Sequence, residues 1–480
     1  MGSPIVKVMT VNADKPVNAR ILLALVLWGM AVAVPLFPQE EDGQAEQPQD
    51  EPQPLTAPVI SEVETWRETL RFGINSQVAE LLPTLTRNRE ETLIPEVLEL
   101  FNTSNNRDVL RESANYLREL QVDQGHPRAL DLMMQWFDRP SELMVAVLNY
   151  LRESEVVLEE EHRESLLEMS RTTPVIRALA AVRLLAANTD DVDALLELYE
   201  DPGIHEDVQG RILVELGERG DPRAFDFVAA IIGEDEEAQT ALQRFAIDTL
   251  GKLGDPRALP IILRQLDSSD AQTRAYAVNA LTRFDEEEAV RGIEAALRDQ
   301  FWRVRISALQ TVAERQLERA APAVLFMMRR DPERPVRVQA IRTAAALGRD
   351  DGWELILERI ADERVNIQER VVMIEEALRL NAAASVPVLA EVMDKEWTRE
   401  NSVVLDAIGR TLSTTESGQI APLVEKLLQH SNFIIQIYGL RSAGRNGMTQ
   451  FLEIIQERES AAAHPMVRTA AARAREDITR

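Results

Sequence analysis

Gly220-Asp221-Pro222-Arg223-Ala224-Phe225 returns 34 residues later as Gly254-Asp255-Pro256-Arg257-Ala258-Leu259, and a looser copy, Gly125-His126-Pro127-Arg128-Ala129-Leu130, lies 95 residues before the first. A phrase that recurs at a period in this range is the mark of stacked supersecondary units. Each letter has a backbone role. Gly closes a helix in the left-handed conformation, Asp caps the next helix, and Pro occupies its first position, where no amide donor is needed. One phrase therefore ends a unit and starts another, so Gly220, Asp221, Pro222, Gly254, Asp255 and Pro256 are read as structural helix junctions.

Outward from these junctions the same two-helix grammar continues where the phrase decays. First helices are predicted to begin near Leu93, Arg128, Glu161, Val192, Arg223, Arg257, Ala289, Ala320, Gly352, Val386, Gly418 and Met448. Downstream of Pro222 the pattern gives a first helix to about Gly233, an acidic turn at Glu234 to Glu237, and a second helix ending near Leu253. In that second helix Leu242, Phe245, Ala246, Thr249, Leu250 and Leu253 recur at helical spacing, which makes one apolar face. An arginine marks the early part of many second helices: Arg111, Arg177, Arg211, Arg244, Arg274, Arg305, Arg337, Arg370 and Arg468. From Arg177 to Arg370 its steps stay between 30 and 34 residues. The expected organisation is an opening helix pair over 61–92, which caps the array, and about twelve repeats over 93–480.

Composition agrees with an all-α reading. Good helix formers dominate, aromatic residues are 5% of the chain, and there are only 20 glycines in 480 residues. The formal net charge of -27 removes the chain-wide basic footprint that nucleic-acid binding requires. The absence of cysteine removes disulfides, thiolate metal sites and cysteine nucleophiles together.

Residues 21–37 (ILLALVLWGMAVAVPLF) are an uninterrupted apolar run, preceded by Lys7, Lys15 and Arg20 and followed by Glu40, Glu41 and Asp42. This is the pattern of an export signal, with small residues at Ala31-Val32-Ala33 that suit cleavage after Ala33. An uncleaved signal anchor is the rival reading, and a buried core helix a second one. The two export readings place the rest of the chain in the periplasm or cell envelope, with membrane attachment only through this segment. Residues 38–60 change to Gln, Glu, Asp and Pro, a composition that cannot bury enough surface to fold and is expected to form an acidic tether.

The second helices of the type Val304-Arg305-Ile306-Ser307-Ala308 and Val336-Arg337-Val338-Gln339-Ala340-Ile341, with the Gly-Asp-Pro-Arg-Ala junctions, resemble the HEAT repeat family. In particular they resemble its short bacterial form, the phycobilisome-lyase-like HEAT repeats. The resemblance runs from about Leu93 to the C-terminus. It implies a right-handed α-solenoid of antiparallel helix pairs, with second helices on the concave side and a role as scaffold or adaptor more often than enzyme. The phrase Glu68-Thr69-Leu70-Arg71-Phe72-Gly73-Ile74 is also similar to the start of exported HEAT-like proteins in bacteria with periplasmic flagella, which implies an envelope or flagellar-motor assembly component.

No catalytic grammar stands out. The sequence lacks a G-x-S-x-G elbow, a phosphate loop, a G-x-G-x-x-G turn and an H-E-x-x-H pair. His126, His162, His205, His430 and His464 are scattered, and His205-Glu206 is the single His-Glu dipeptide. No catalytic residue, metal site or cofactor is expected. Acidic runs at Glu159 to Glu161, Glu234 to Glu237 and Asp285 to Glu288 fall at predicted turns and lack calcium-loop spacing.

The arginine ladder has two readings. As a stripe on the concave face, Arg244, Arg274, Arg305, Arg337 and Arg370 are candidate protein-binding residues. Alternatively, acidic residues before many second helices (Asp201, Asp267 or Asp270, Asp299, Asp331, Asp362, Asp394) would pair with the arginines along the stack. Trp136, Trp302, Trp353 and Trp397 suit inter-repeat packing, and among them Trp302, between Phe301 and Arg303, is the candidate exposed anchor. The expected function is a non-enzymatic scaffold that binds a protein partner through the concave face. The alternative is a lyase-like enzyme or small-molecule carrier that holds a ligand in the curve.

Overall fold

A computed structural model of the chain describes residues 62–153, 156–188, 192–232, 241–462 and 464–479. The chain divides into two units, Met1–Ile60 and Ser61–Arg480. The apolar run and the acidic tether read from the sequence lie in the first, outside the described residues; the acidic turn at Glu234 to Glu237, in the second unit, is also outside them.

The second unit is an all-α, HEAT-like right-handed solenoid, with no strand among the described residues. It opens with the pair Glu62–Phe72 and Asn75–Asn88, and helix pairs follow. First helices include Ile94–Thr103, His126–Met134, Phe225–Ile231, Leu259–Gln265, Glu287–Ala296 and Ala321–Arg330. Second helices include Arg107–Glu119, Ser141–Arg152, Val175–Asn188, Glu206–Arg219, Ala241–Leu253, Ala271–Ala280, Trp302–Glu314 and Arg334–Leu347. Each second helix packs on its own first helix and also on the second helix of the next pair, which carries the stack forward. Leu213, Leu250, Val278, Leu309 and Ile341 lie fully inside on successive second helices, within one cluster that runs from Leu70 to Ala474. At about 25 cal/mol per Å² of apolar area removed from water, that cluster is the main stabilising term, and each unit depends on its neighbours for it.

The junctions show why the phrase has its letters. Gly220 (φ 69) and Gly254 (φ 64) are left-handed, and the Asp221 and Asp255 carboxylates accept from the Arg223 and Arg257 amides. Pro222 and Pro256 then open a single 3-10 turn before the first helix proper. Arg223 and Arg257 close back on the same carboxylates, and the Arg257 guanidinium lies 4.0 Å from the centre of the Phe225 ring. The same left-handed stop recurs at Arg89, Gln121, Gln316, Gly348 and Gly447.

The first copy of the phrase is not such a junction. Gly125 is right-handed (φ -85), and the preceding helix stops at Gln121 (φ 54), four residues earlier. Gly125 therefore occupies the place that Ala224 holds in the second copy. It is required there by space, because a Cβ would lie 2.7 Å from the Tyr150 hydroxyl, which donates to the Val122 carbonyl.

A further departure concerns the helix expected near Val386. Residues Ile367–Glu396 form one continuous run that holds the second helix of one pair and the first of the next, with a break only at Asn381 (φ -150, ψ 81). The Asn381 side chain accepts from the Ala384 amide and the Ser385 hydroxyl donates to the Ala377 and Asn381 carbonyls, so side chains bridge the kink that a glycine junction makes elsewhere.

Candidate functional site

The periodic arginines come together as a ladder inside the stack. Arg274 Nε and Nη2 donate to Asp299 at 2.7 and 2.9 Å, while its Nη1 donates to the Ser268 and Ser269 carbonyls. Arg305 repeats the arrangement one unit on, with Asp331 at 2.8 Å through both nitrogens and the Asp299 carbonyl at 2.9 Å. Arg337 continues it to Glu369 and to the Asp331 carbonyl. Arg244 reaches Asp270 at 3.2 Å and Arg370 reaches Glu396 at 3.6 Å. Arg274, Arg305 and Arg337 thus tie the turn of their own unit to a carboxylate of the following one, and Arg274 and Arg305 do so in the two-pronged geometry that arginine alone offers, two nitrogens on two oxygens.

Burial separates these arginines. Arg274, Arg305 and Arg370 are 7%, 8% and 4% exposed, so their charge is spent within the solenoid. Arg244 and Arg337 keep about a fifth of their side chains accessible. The carboxylates do double duty: Asp270 accepts from the Gln272 and Thr273 amides, Asp299 from Phe301, and Asp331 from Glu333. Burial pushes the Asp299 carboxyl up, but Arg274 and the Phe301 amide outweigh it and hold the group below the ordinary carboxylate range. Asp270 is held low in the same way by Thr273, Gln272 and Arg244 against its burial.

Several ladder partners expected from the sequence sit elsewhere. Asp362 pairs with Arg364 beside it, Asp394 with Lys426, and Asp201 with Arg171. The places of Asp362 and Asp394 are taken by Glu369, at the start of its helix, and Glu396, at the end of one. A longer side chain on a helix reaches the position that a short aspartate reaches from a turn, and spacing alone does not distinguish the two. Arg177 has no ladder carboxylate; it donates to the Thr173 carbonyl and covers the Trp136 ring at 4.7 Å. Arg211 pairs with Glu215 on its own helix, and Arg111 with Asp108 and Glu112.

Trp302 is half-buried at the first position of its helix, with the Arg303 guanidinium 4.9 Å from its ring centre. Trp136 is buried against the core. Its neighbour Phe137, which composition gave no reason to single out, stacks on it and stays 67% exposed. The histidines serve helix starts and turns: His162, His205, His430 and His464 each accept a backbone amide through Nδ1. Burial lowers the His126 pKa. Among the described residues no group of three or more metal-ligating side chains comes together. No helix among them is long and apolar enough to cross a membrane.

A recess lies near the C-terminus, between the second helices Phe433–Arg445 and Pro465–Thr479. It is a groove of about 730 Å³, lined by apolar Ile437, Met466 and Ala470 and by Arg441, Arg445 and Arg473.

Comparison with known proteins places this geometry. Residues 70–474 match the model of the family described as Spirochaete HEAT repeat protein. The uncharacterized phycocyanin operon protein Z of Pseudanabaena tenuis (strain PCC 7409) is 28% identical over 160 residues, which are 31% of this chain and 77% of that protein. Among solved structures, Kap121p aligns with a TM-score of 0.41 and 10% identity over 86% of this chain, and the chain spans about half (53%) of its length. The complex of CpcE and CpcF of phycocyanin lyase from Nostoc sp. PCC7120 aligns with a TM-score of 0.30 and 15% identity, over 60% of this chain and 95% of that one. With a match that spans most of its length, the chain belongs to the Spirochaete HEAT repeat protein family.

Proposed function

We propose that this chain is a non-enzymatic scaffold, exported to the periplasm or cell envelope, that binds a partner protein along the exposed edges of its second helices. The observation that supports it most is the ladder. The most regular polar groups of the sequence are consumed in holding the units together. What remains is a long surface whose exposed residues differ from unit to unit, the arrangement that repeat proteins use to bind other chains. Half-buried Trp302 and the accessible parts of Arg244 and Arg337 belong to that surface.

Crosslinking of intact cells followed by mass spectrometry tests the reading. A discrete envelope protein joined to the solenoid is the expected result, and repeated absence of any such adduct counts against it. Fractionation of the same cells tests export, since a chain recovered only with cytoplasmic markers rules it out.

The likeness to phycocyanin operon protein Z favours a second reading, a small-molecule carrier of the lyase-like type. Chain purified from its own cells would then carry a chromophore or metal, visible by absorbance or elemental analysis.

A further inference from the structure

We infer that the C-terminal groove between Phe433–Arg445 and Pro465–Thr479 is a docking site for an acidic, amphipathic peptide segment of a partner protein. The inference rests on the scaffold reading and gives it a place and a partner chemistry.

Charge carries the argument. The chain has 80 acidic residues against 53 basic ones, yet three arginines and one aspartate line this groove. Arg445 is engaged by Glu416 at 3.3 Å and by the Ser413 carbonyl. Arg441 and Arg473 are exposed, and among the described residues neither makes a hydrogen bond or ion pair with another side chain. They stand at matched places on neighbouring second helices, 32 residues apart. This contrasts with the ladder, where each arginine has its carboxylate inside the stack. Two unpaired guanidiniums facing one groove in an acidic protein offer the forked donors that a partner's carboxylates fit.

Shape supplies the rest. Met466, Ala470, Arg473 or Ala474, and Asp477 follow one another at helical spacing along one wall, a run of roughly 16 Å at 1.5 Å per residue. That length takes about three turns of a docked helix. Met466, 58% exposed, joins Ile437 and Ala470 as apolar lining, so the occupant needs apolar side chains as well as carboxylates. Asp477, at the other end, repels an acidic residue there and gives the site a direction.

A labelled twelve-residue peptide with leucines on one helical face and four glutamates beside them is the probe, titrated by fluorescence anisotropy into the full chain. Binding is expected to weaken with salt, to fall at least tenfold in Arg441→Glu/Arg473→Glu, and to stay unchanged in Arg298→Glu, an exposed arginine in the turn after Glu287–Ala296. Circular dichroism checks that the variants fold. Undiminished binding by the double variant, equal binding of a glutamine version of the peptide, or no binding overturns the inference. Displacement of the peptide by inorganic phosphate or by anionic phosphatidylglycerol vesicles overturns it as well, in favour of a phosphate or lipid site. The scaffold reading fails separately, only if crosslinked cells yield no partner at any part of the solenoid.

Discussion

Arg305 concentrates the reasoning at the residue scale. It and Asp331 are both nearly inside, so removal of the guanidinium strands a carboxylate away from water. Arg305→Leu is expected to cost about 3–5 kcal/mol in urea denaturation, the range for a broken buried pair. A loss under about 1 kcal/mol would show that the pair behaves as a surface contact. The glycines give a second prediction. Gly254→Ala places a Cβ in the left-handed region with open space around it, at a cost of about 1–2 kcal/mol that Gly254→Asn recovers in part. Gly125→Ala instead presses on Tyr150, and asparagine there makes matters worse. Equal rescue by asparagine at both sites would contradict the assignment. The letters G-x-P-R-A are the same at both positions; which turn they serve depends on where the previous helix stops, and that is set by packing around Tyr150 that no local pattern displays.

At the scale of elements, the ladder is one device that runs through successive turns, and its carboxylates set an acid limit. Asp270 and Asp299 are held below the ordinary carboxylate range in the folded chain. Their contribution is therefore fully present above about pH 4, the value for an unfolded carboxyl, and is lost as pH falls through the depressed folded values. Urea midpoints should fall below pH 4 in the native chain and fall less in Arg274→Met/Asp299→Asn. An identical decline in both would remove the ladder from the account. The period, the helix pairs and the Asp299 and Asp331 rungs were legible because each sits in a turn next to a helix start. The Glu369 and Glu396 rungs were not, since a helical glutamate looks like any solvated one until its neighbour is placed. The Asn381 kink was hidden for a related reason: its cap is made by side chains within a helix-forming stretch, without glycine or proline at the break. Asn381→Ala should cost about 1 kcal/mol, as for loss of a helix cap, measured by thermal denaturation.

For the whole molecule, units that bury their faces only against neighbours make stability a nearest-neighbour property and leave function to the exposed edges. The sequence announces the stack through its repetition. It is silent about the groove at Arg441 and Arg473, because those arginines look like the rest until the ladder has claimed its own. The central claim is that the solenoid works by holding another protein. Photocrosslinking in living cells tests it most directly, with a benzophenone residue placed in turn at exposed Phe137, Phe326 and Met466 and at buried Leu309 of the full chain. The account predicts a discrete protein adduct from at least one exposed position, the same in repeated experiments, and none from Leu309. No adduct from any exposed position, together with a chromophore or metal retained by the purified chain, would contradict it.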